Sequence, residues 1–437
     1  MLFQPHRDRD LHKPWNWTQL GVLILPLLPT FGAIAIGLAL VLTWKRRYSQ
    51  ILNRPIIRAL LGVAGLFLLT ACFAENRADA FLGLGNFIPY FGLFAGLAVL
   101  IRTPAQLQWL SWLLTIPAIP VVILGLGQQF FNWSGIEALR GILGWVLEAG
   151  GSPPDRMSSV FMYANILAAY LVIIFALASA LLIQELGWVE NPEPPEMLAK
   201  VPQTVRLAAA GTAVLATGVG LLVTNSRNAW LMAVCVSLAY AVYLGWNWLL
   251  GIVGVVVAAV GGAAFAPSPV REGLRVVVPA YFWQRLTDQN FDRPVETLRI
   301  TQWKFAADLT RERPMTGWGL RNFTPLYEAE MGVWMGHPHN LLLMMSAEVG
   351  IPATLAFFAG VGWVFAVGVR RLSEGKIDGW ERLIFFSYLA AFGACILFNL
   401  ADVTIFDLRV NALGWLLLAA IYGVAEGNGE GSMIHGE

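Results

Sequence analysis

Residues 160–184 read VFMYANILAAYLVIIFALASALLIQ, with no charged side chain among them. About 20 consecutive apolar residues let a helix cross the hydrocarbon core of a bilayer, so this stretch predicts a transmembrane helix. Nine further apolar runs of similar kind occur along the chain. Together the ten runs cover 59–75, 81–101, 107–128, 160–184, 206–224, 229–245, 248–266, 341–369, 383–403 and 409–425.

The stretch 17–44 is also apolar, but Pro26 and Pro29 interrupt it. It forms either one tilted helix or two short ones, because proline ends or kinks a helix. The sequence thus predicts an all-α, polytopic integral membrane protein with about 11–12 transmembrane helices.

The composition excludes several classes of protein. Only 13% of the 437 residues are charged and 57% are hydrophobic, whereas a soluble domain carries about 25% charged residues. The net charge of +1 comes without a basic domain, so no nucleic acid partner is expected. No glycine-rich phosphate loop occurs, which argues against a nucleotide-dependent enzyme. Cys72, Cys235 and Cys395 lie in apolar runs and are interpreted as small buried hydrophobic residues.

Basic residues predict the orientation of the chain. The strongest positive cluster consists of Lys45, Arg46, Arg47, Arg54 and Arg58, and short basic loops stay in the cytoplasm. Counting spans from this cluster puts 267–340 outside and the loop from Arg370 to Arg382 inside, in agreement with the basic residues of that loop. We therefore expect a single membrane domain, 1–437, with one long extracytoplasmic loop at 267–340.

The loop at 267–340 carries most of the exposed polar chemistry, and loops beyond about 15 residues are usually functional. Its arginines run against the positive-inside bias, and a guanidinium group can bind phosphate oxygens in a bidentate manner. These arginines are Arg271, Arg275, Arg285, Arg293, Arg299, Arg311, Arg313 and Arg321. Two interpretations stay open: they surround a bound anion, or they form salt bridges to acidic residues of the same loop, namely Asp288, Asp292, Glu296 and Asp308.

Arg227 and two histidines are further candidates. Arg227 lies between two apolar spans, where a charge faces a cavity or extends to the interface. His337 and His339 flank Pro338 at the end of the loop. Helical metal ligands are usually spaced i, i+4 and no acidic ligand lies in register, so a metal pair is the weaker interpretation. A neutral imidazole suits a general base for a hydroxyl group.

Polar residues outside the loop receive structural interpretations. Asn165 is predicted to form a helix–helix hydrogen bond. Asn399 and Asp402, at the end of an apolar run, are interpreted as structural. Glu348, in the helix after His339, is expected to orient or cap rather than react.

Four ordered segments resemble the O-antigen ligase and O-antigen polymerase-like membrane proteins. Residues 156–171, RMSSVFMYANILAAYL, are similar to that family's Arg-x-Ser-Gly-x-x-x-Asn-Pro-Asn stretch, and 226–230, SRNAW, resemble its Ser-Arg-Gly-Ala-Trp motif. Residues 313–319, RPMTGWG, resemble its Pro-Leu-x-Gly-x-Gly turn. Residues 339–350 are similar to its His-Asn-x-x-Leu-x-x-x-x-Glu-x-Gly motif. Asn228 departs from the family pattern, which usually has glycine there.

The resemblance implies a metal-independent membrane glycosyltransferase that needs no cofactor. Such enzymes move a glycan from a polyprenyl diphosphate carrier to an acceptor hydroxyl on a lipid, glycan or protein. They act at the periplasmic side of the bacterial inner membrane. The site residues that the resemblance implies are catalytic His339 with His337 beside it; Arg227, Arg299 and Arg321 on the diphosphate; and Arg156, Asn340 and Glu348 in support.

Three alternatives stay open at the level of sequence. A branch of this family carries the label of an inorganic-carbon transporter, and the chain resembles that branch too. A nonenzymatic scaffold of envelope assembly is another possibility. Within the enzyme hypothesis, the sequence does not separate a ligase from a polymerase.

Overall fold

A computed structural model of the protein describes residues 3–189, 196–287, 294–375 and 377–427. Within these ranges the fold is all-α and contains no β-strand, as predicted. The first ten helices are α1 (His12–Ile24), α2 (Pro29–Leu52), α3 (Pro55–Cys72), α4 (Arg77–Gly83), α5 (Ile88–Leu100), α6 (Pro104–Thr115), α7 (Ala118–Phe130), α8 (Arg140–Leu143), α9 (Ala164–Glu185) and α10 (Glu196–Ala199). The others are α11 (Gln203–Val223), α12 (Arg227–Leu244), α13 (Asn247–Phe265), α14 (Val270–Val277), α15 (Ala280–Thr287), α16 (Arg299–Glu312), α17 (Phe323–Met331), α18 (Leu341–Ser373), α19 (Gly379–Asn399) and α20 (Leu408–Gly427).

The ten predicted apolar spans are confirmed. In the described part of the chain, ten helical segments are long and apolar enough to cross a membrane, and each coincides with one predicted run. Two of them are compound, since α4 with α5 and α6 with α7 each make one span. The protein is therefore a multi-pass membrane protein.

The stretch 17–44 contains two helices rather than one. Pro26 lies in the turn after α1, and Pro29 is the first residue of α2, where its missing N–H costs no hydrogen bond. The two helices run antiparallel and in close contact. A Cβ on Gly21 would meet Ile36 at 2.6 Å, and one on Gly32 would meet Leu25 at 2.6 Å. These glycines allow the close approach.

Helix α9 forms the centre of the bundle. It packs against α6, α11, α12 and α19, and its side chains are buried around the whole circumference. Its sequence is correspondingly apolar on every face, which is typical of a helix enclosed by others. The polar residue Asn165 in its first turn is thus placed inside the protein, where a hydrogen-bond partner is required.

The described residues of the segment 267–340 are mostly helical, so its description as a loop is incomplete. It contains α14 to α17, and α16 begins at Arg299. Ala306, Leu309, Phe323, Tyr327 and Ala347 form a small apolar core that fixes α16 and α17 against α18. Asp288, Asp292 and Arg293 lie outside the described residues.

Two of the motifs described above contact each other. Helix α18 is broken at Gly350, whose φ of 76° is left-handed. The turn at 314–319 enters the break: the N–H groups of Trp318 and Gly319 donate to the carbonyls of Ala347 and Glu348, at 2.9 and 2.7 Å. The backbone groups freed by the break are therefore satisfied within the protein.

Candidate active site

The residues that begin three long helices meet at one cavity of about 350 Å³. Tyr163 and Asn165 come from the start of α9, Ser226 and Arg227 from that of α12, and Arg299 from that of α16. None of the three helices has a side-chain cap on its first N–H groups. Free N–H groups and the helix dipoles favour an anion at such a place.

Four arginines line this cavity, which we name the arginine cavity. They are Arg156, Arg227, Arg285 and Arg299, and no acidic side chain of a described residue lines it. Backbone carbonyls orient two of them: Arg156 Nε donates to Thr224 O at 2.9 Å, and Arg285 Nε donates to Asn225 O at 3.2 Å. The predicted residues Arg227 and Arg299 are thus brought together, with Arg156. Arg285 was one of eight loop arginines in the sequence, and no spacing singled it out.

His339 lines the arginine cavity and is held by Asp402. Nδ1 of His339 lies 3.0 Å from Oδ1 of Asp402, which is nearly inaccessible to solvent. Asp402 also accepts hydrogen bonds from Asn165 Nδ2, at 2.6 Å, and from the N–H of Val403, at 2.9 Å. Arg156 in turn donates to the side-chain oxygen of Asn165. The interpretation of Asp402 as structural did not include this contact, in which its carboxylate bonds to the candidate catalytic residue.

The charge state of Asp402 follows from these contacts. Burial raises the pKa of Asp402, but the hydrogen bond from His339 and the electrostatic interactions with His339, His337 and Arg299 outweigh it and hold the pKa below its usual range. The carboxylate is therefore ionised at neutral pH and can only accept hydrogen bonds. Nδ1 of His339 is therefore the donor in its contact with Asp402, and in a neutral imidazole with this tautomer Nε2 is the proton acceptor.

His337 is a neutral neighbour of His339. The N–H of His339 donates to Nδ1 of His337 at 3.1 Å, so the proton of His337 lies on Nε2, 3.8 Å from Asp402 Oδ1. Burial lowers the pKa of His337 to about 4. The charge of Asp402 raises this pKa, whereas His339 and Arg299 lower it further. His337 is thus uncharged at pH 7.

His337, His339 and Asp402 could in principle hold a metal ion, since their ligand atoms lie within 4.8 Å of one another. The sequence did not predict this grouping, because Asp402 is 63 residues from His339 along the chain. The hydrogen bonds argue against it. The nitrogens that face Asp402 carry protons in this arrangement, and the guanidinium of Arg299 lies 3.9 Å from Asp402 Oδ2. A cation would have to displace both protons next to that charge.

A second cavity of about 690 Å³ adjoins the first. We name it the aromatic cavity, after Tyr163, Trp334 and Phe406 in its lining. Tyr163 and His339 line both cavities. Arg321 lines the aromatic cavity and not the arginine cavity, so the prediction that it belongs to the diphosphate group is not supported by its position.

The remaining predicted residues support the backbone around the site. Asn340 caps α18 by accepting from the N–H of Leu343, and it donates to Leu400 O at 2.9 Å. Glu348 is buried and accepts from the N–H of Phe323, which agrees with a capping role. Asn228, where the family pattern has glycine, donates to Phe398 O at 2.9 Å and joins α12 to α19.

Comparison with known proteins found a family match over one segment of the chain. Residues 212–358 match the family model described as O-antigen ligase. A search of curated proteins found no match. The matched segment includes Arg227, Arg285, Arg299, His337 and His339, but not Asp402. Nothing in the comparisons supports the inorganic-carbon transporter.

Proposed function

We propose, from the O-antigen ligase domain that the chain carries at residues 212–358, that this protein transfers a glycan from a polyprenyl diphosphate carrier to an acceptor hydroxyl in cell-surface polysaccharide assembly. One observation carries the proposal. His339, with a free proton-accepting nitrogen, lies between a cavity lined by four arginines and a second cavity that is open to another substrate. A transfer reaction needs a donor site, an acceptor site and a base between them.

The donor diphosphate binds in the arginine cavity. Arg227 and Arg299 bind its oxygens, with Arg156 and Arg285 beside them. Negative charge develops on the diphosphate as it leaves, and fixed guanidinium groups at uncapped helix N-termini stabilise this charge without a cation. The enzyme is therefore proposed to be metal-independent.

The acceptor hydroxyl enters from the aromatic cavity. Nε2 of His339 takes the proton of this hydroxyl as its oxygen forms a bond to the anomeric carbon of the donor sugar. The bond from that carbon to the diphosphate oxygen breaks, and polyprenyl diphosphate leaves with the electron pair. Asp402 keeps the proton of His339 on Nδ1 and stabilises the imidazolium that forms.

The site is proposed to face the periplasm of a bacterium, with the chain in the inner membrane. Asn340 and Leu400, joined by a hydrogen bond, mark the ends of α18 and α19 next to the site. The basic turn from Arg370 to Arg382 joins the opposite ends of these helices. Since basic turns stay in the cytoplasm, the site lies on the other side.

The test is a deletion strain complemented with the wild-type gene or with His339→Ala, followed by gel analysis of the surface glycans. We expect the deletion to lose or shorten one glycan and only the wild type to restore it. Purified protein should also release polyprenyl diphosphate from a lipid-linked glycan when an acceptor is added, as followed by ³¹P NMR.

Other outcomes would reject the proposal. Restoration by His339→Ala would favour a scaffold. Unchanged glycans together with reduced bicarbonate uptake would favour a transporter. The lengths of the restored chains separate a ligase, which transfers a finished glycan, from a polymerase, which extends one.

A further inference from the structure

The two cavities that share His339 differ in charge. Among the residues that the structure describes, the lining of the arginine cavity has four arginines and no carboxylate. The lining of the aromatic cavity has one arginine, Arg321, and two carboxylates, Asp79 and Glu328. With neutral histidines the described residues of the second lining have a net charge of −1, so this lining disfavours a phosphorylated ligand.

Three large aromatic side chains of the aromatic cavity are exposed. The exposed fractions are 67% for Trp334, 41% for Phe406 and 38% for Tyr163. The ring of Phe406 also stacks on that of His337, at 5.9 Å between centroids and 15° between planes. One of these aromatic faces is therefore fixed beside the candidate catalytic pair.

Exposed aromatic rings and carboxylates together match the chemistry of a sugar. The C–H face of a pyranose ring is apolar and slightly positive, and the face of an aromatic ring is negative. Carboxylate oxygens accept hydrogen bonds from hydroxyl or amino groups. A serine or threonine of a protein acceptor offers no comparable apolar face.

We infer that the aromatic cavity binds the acceptor as a sugar without phosphate groups. Trp334 and Phe406 stack on pyranose rings, and Asp79 and Glu328 accept hydrogen bonds from hydroxyl or amino substituents. This inference rests on the proposed function for the role of acceptor, and it names the acceptor's chemical class and the residues that select it.

The experiment measures binding without turnover. Full-length His339→Ala protein in detergent is tested by saturation-transfer NMR, which detects ligand protons that contact the protein. Oligosaccharides are released from the surface of cells that carry the gene and are separated by anion exchange into a phosphate-free pool and a phosphate-bearing pool. These two pools are the first two probes, and a peptide that contains serine and threonine is the third.

We expect signals on the pyranose C–H protons of the phosphate-free pool, at least about 5-fold stronger than those of the other probes, as charge repulsion and the lack of stacking predict. Trp334→Ala should abolish the signals. Trp363→Ala is the matched control, because Trp363 is similarly exposed but lies in α18 beside α3, away from the site. Asp79→Asn with Glu328→Gln should increase binding of the phosphate-bearing pool.

Several results would overturn the inference: equal signals in the Trp334→Ala protein, preference for the phosphate-bearing pool or the peptide, or no binding of any probe. The outcome is separable from that of the proposed function. If the phosphate-free pool binds but wild-type protein releases no polyprenyl diphosphate, the transferase proposal fails and the sugar site stands. If wild-type protein releases polyprenyl diphosphate but only the peptide binds, the inference of a sugar site fails and the transferase proposal stands.

Discussion

Asp402 accepts a hydrogen bond from Nδ1 of His339 at 3.0 Å, although the two residues are 63 positions apart. The bond joins the start of α18 to the connection between α19 and α20. Asn165, in α9, donates a second hydrogen bond to Asp402. Arg156, which lines the arginine cavity, donates to the side-chain oxygen of Asn165. The candidate base His339 and the arginine cavity are thus joined through two side chains, Asp402 and Asn165, and this connection can be tested.

Asp402→Asn should lower kcat by about 10²-fold or more, because an amide can donate to Nδ1 and place the proton of His339 on Nε2. The KM for the donor should change little. Asp407→Asn is the control: Asp407 lies in the same connection but pairs with Arg409, so its loss should affect thermal stability more than kcat. Equal kcat in wild type and Asp402→Asn would remove Asp402 from the mechanism.

The two cavities predict different effects for two arginines. Arg285→Ala should lower kcat/KM for the donor by about 10- to 100-fold, through loss of a charge-assisted contact. Arg321→Ala should raise the KM for the acceptor instead. Arg311→Ala removes an exposed arginine that pairs with Asp308. Its kcat/KM should stay within about 2-fold of the wild-type value. Steady-state kinetics with each substrate varied in turn would check this, and a donor effect for Arg321→Ala would contradict the assignment.

His337 predicts a pH dependence of stability. Its pKa in the folded protein is about 4, below the ordinary 6.5. Between these values the unfolded chain binds a proton that the folded protein does not. The free energy of unfolding should therefore fall as pH falls through this window, by at most about 3 kcal/mol. Melting temperatures at pH 7.5 and pH 5 should differ less in His337→Gln than in wild type. His12→Gln, far from the site, should behave like wild type.

Gly350→Ala should destabilise the protein by more than about 2 kcal/mol, because the left-handed φ disfavours a side chain and a Cβ would lie 2.5 Å from the carbonyl oxygen of Met315. Gly362→Ala in the same helix is the control. A Cβ there meets no atom within 4 Å, and alanine favours a helix by about 1 kcal/mol. Similar melting temperatures for both variants would show that the break in α18 tolerates a side chain.

Chelation should leave activity unchanged, since the hydrogen bonds of His337 and His339 place protons where a metal would bind. Activity is measured after dialysis against EDTA and again after Mg²⁺, Mn²⁺ or Zn²⁺ is added. Loss on dialysis with recovery in one of these cations would show that His337, His339 and Asp402 hold a metal.

The sequence by itself determined the ten apolar spans, because transfer of a side chain into lipid is a local property. It left 17–44 open between one helix and two, since a proline without an N–H can either kink or end a helix. Short motifs also made His339 and Arg227 candidates, and the amphipathic segment that Arg299 opens made Arg299 one. Only the tertiary structure decided that Arg285 joins these arginines, that Arg321 lies in the other cavity, and that Asp402 holds His339. Those relationships depend on how α9, α12, α16, α18 and α19 pack. Packing brings together residues far apart in the chain, such as Asn165 and Asp402 at a separation of 237 positions, and no local pattern encodes such a contact.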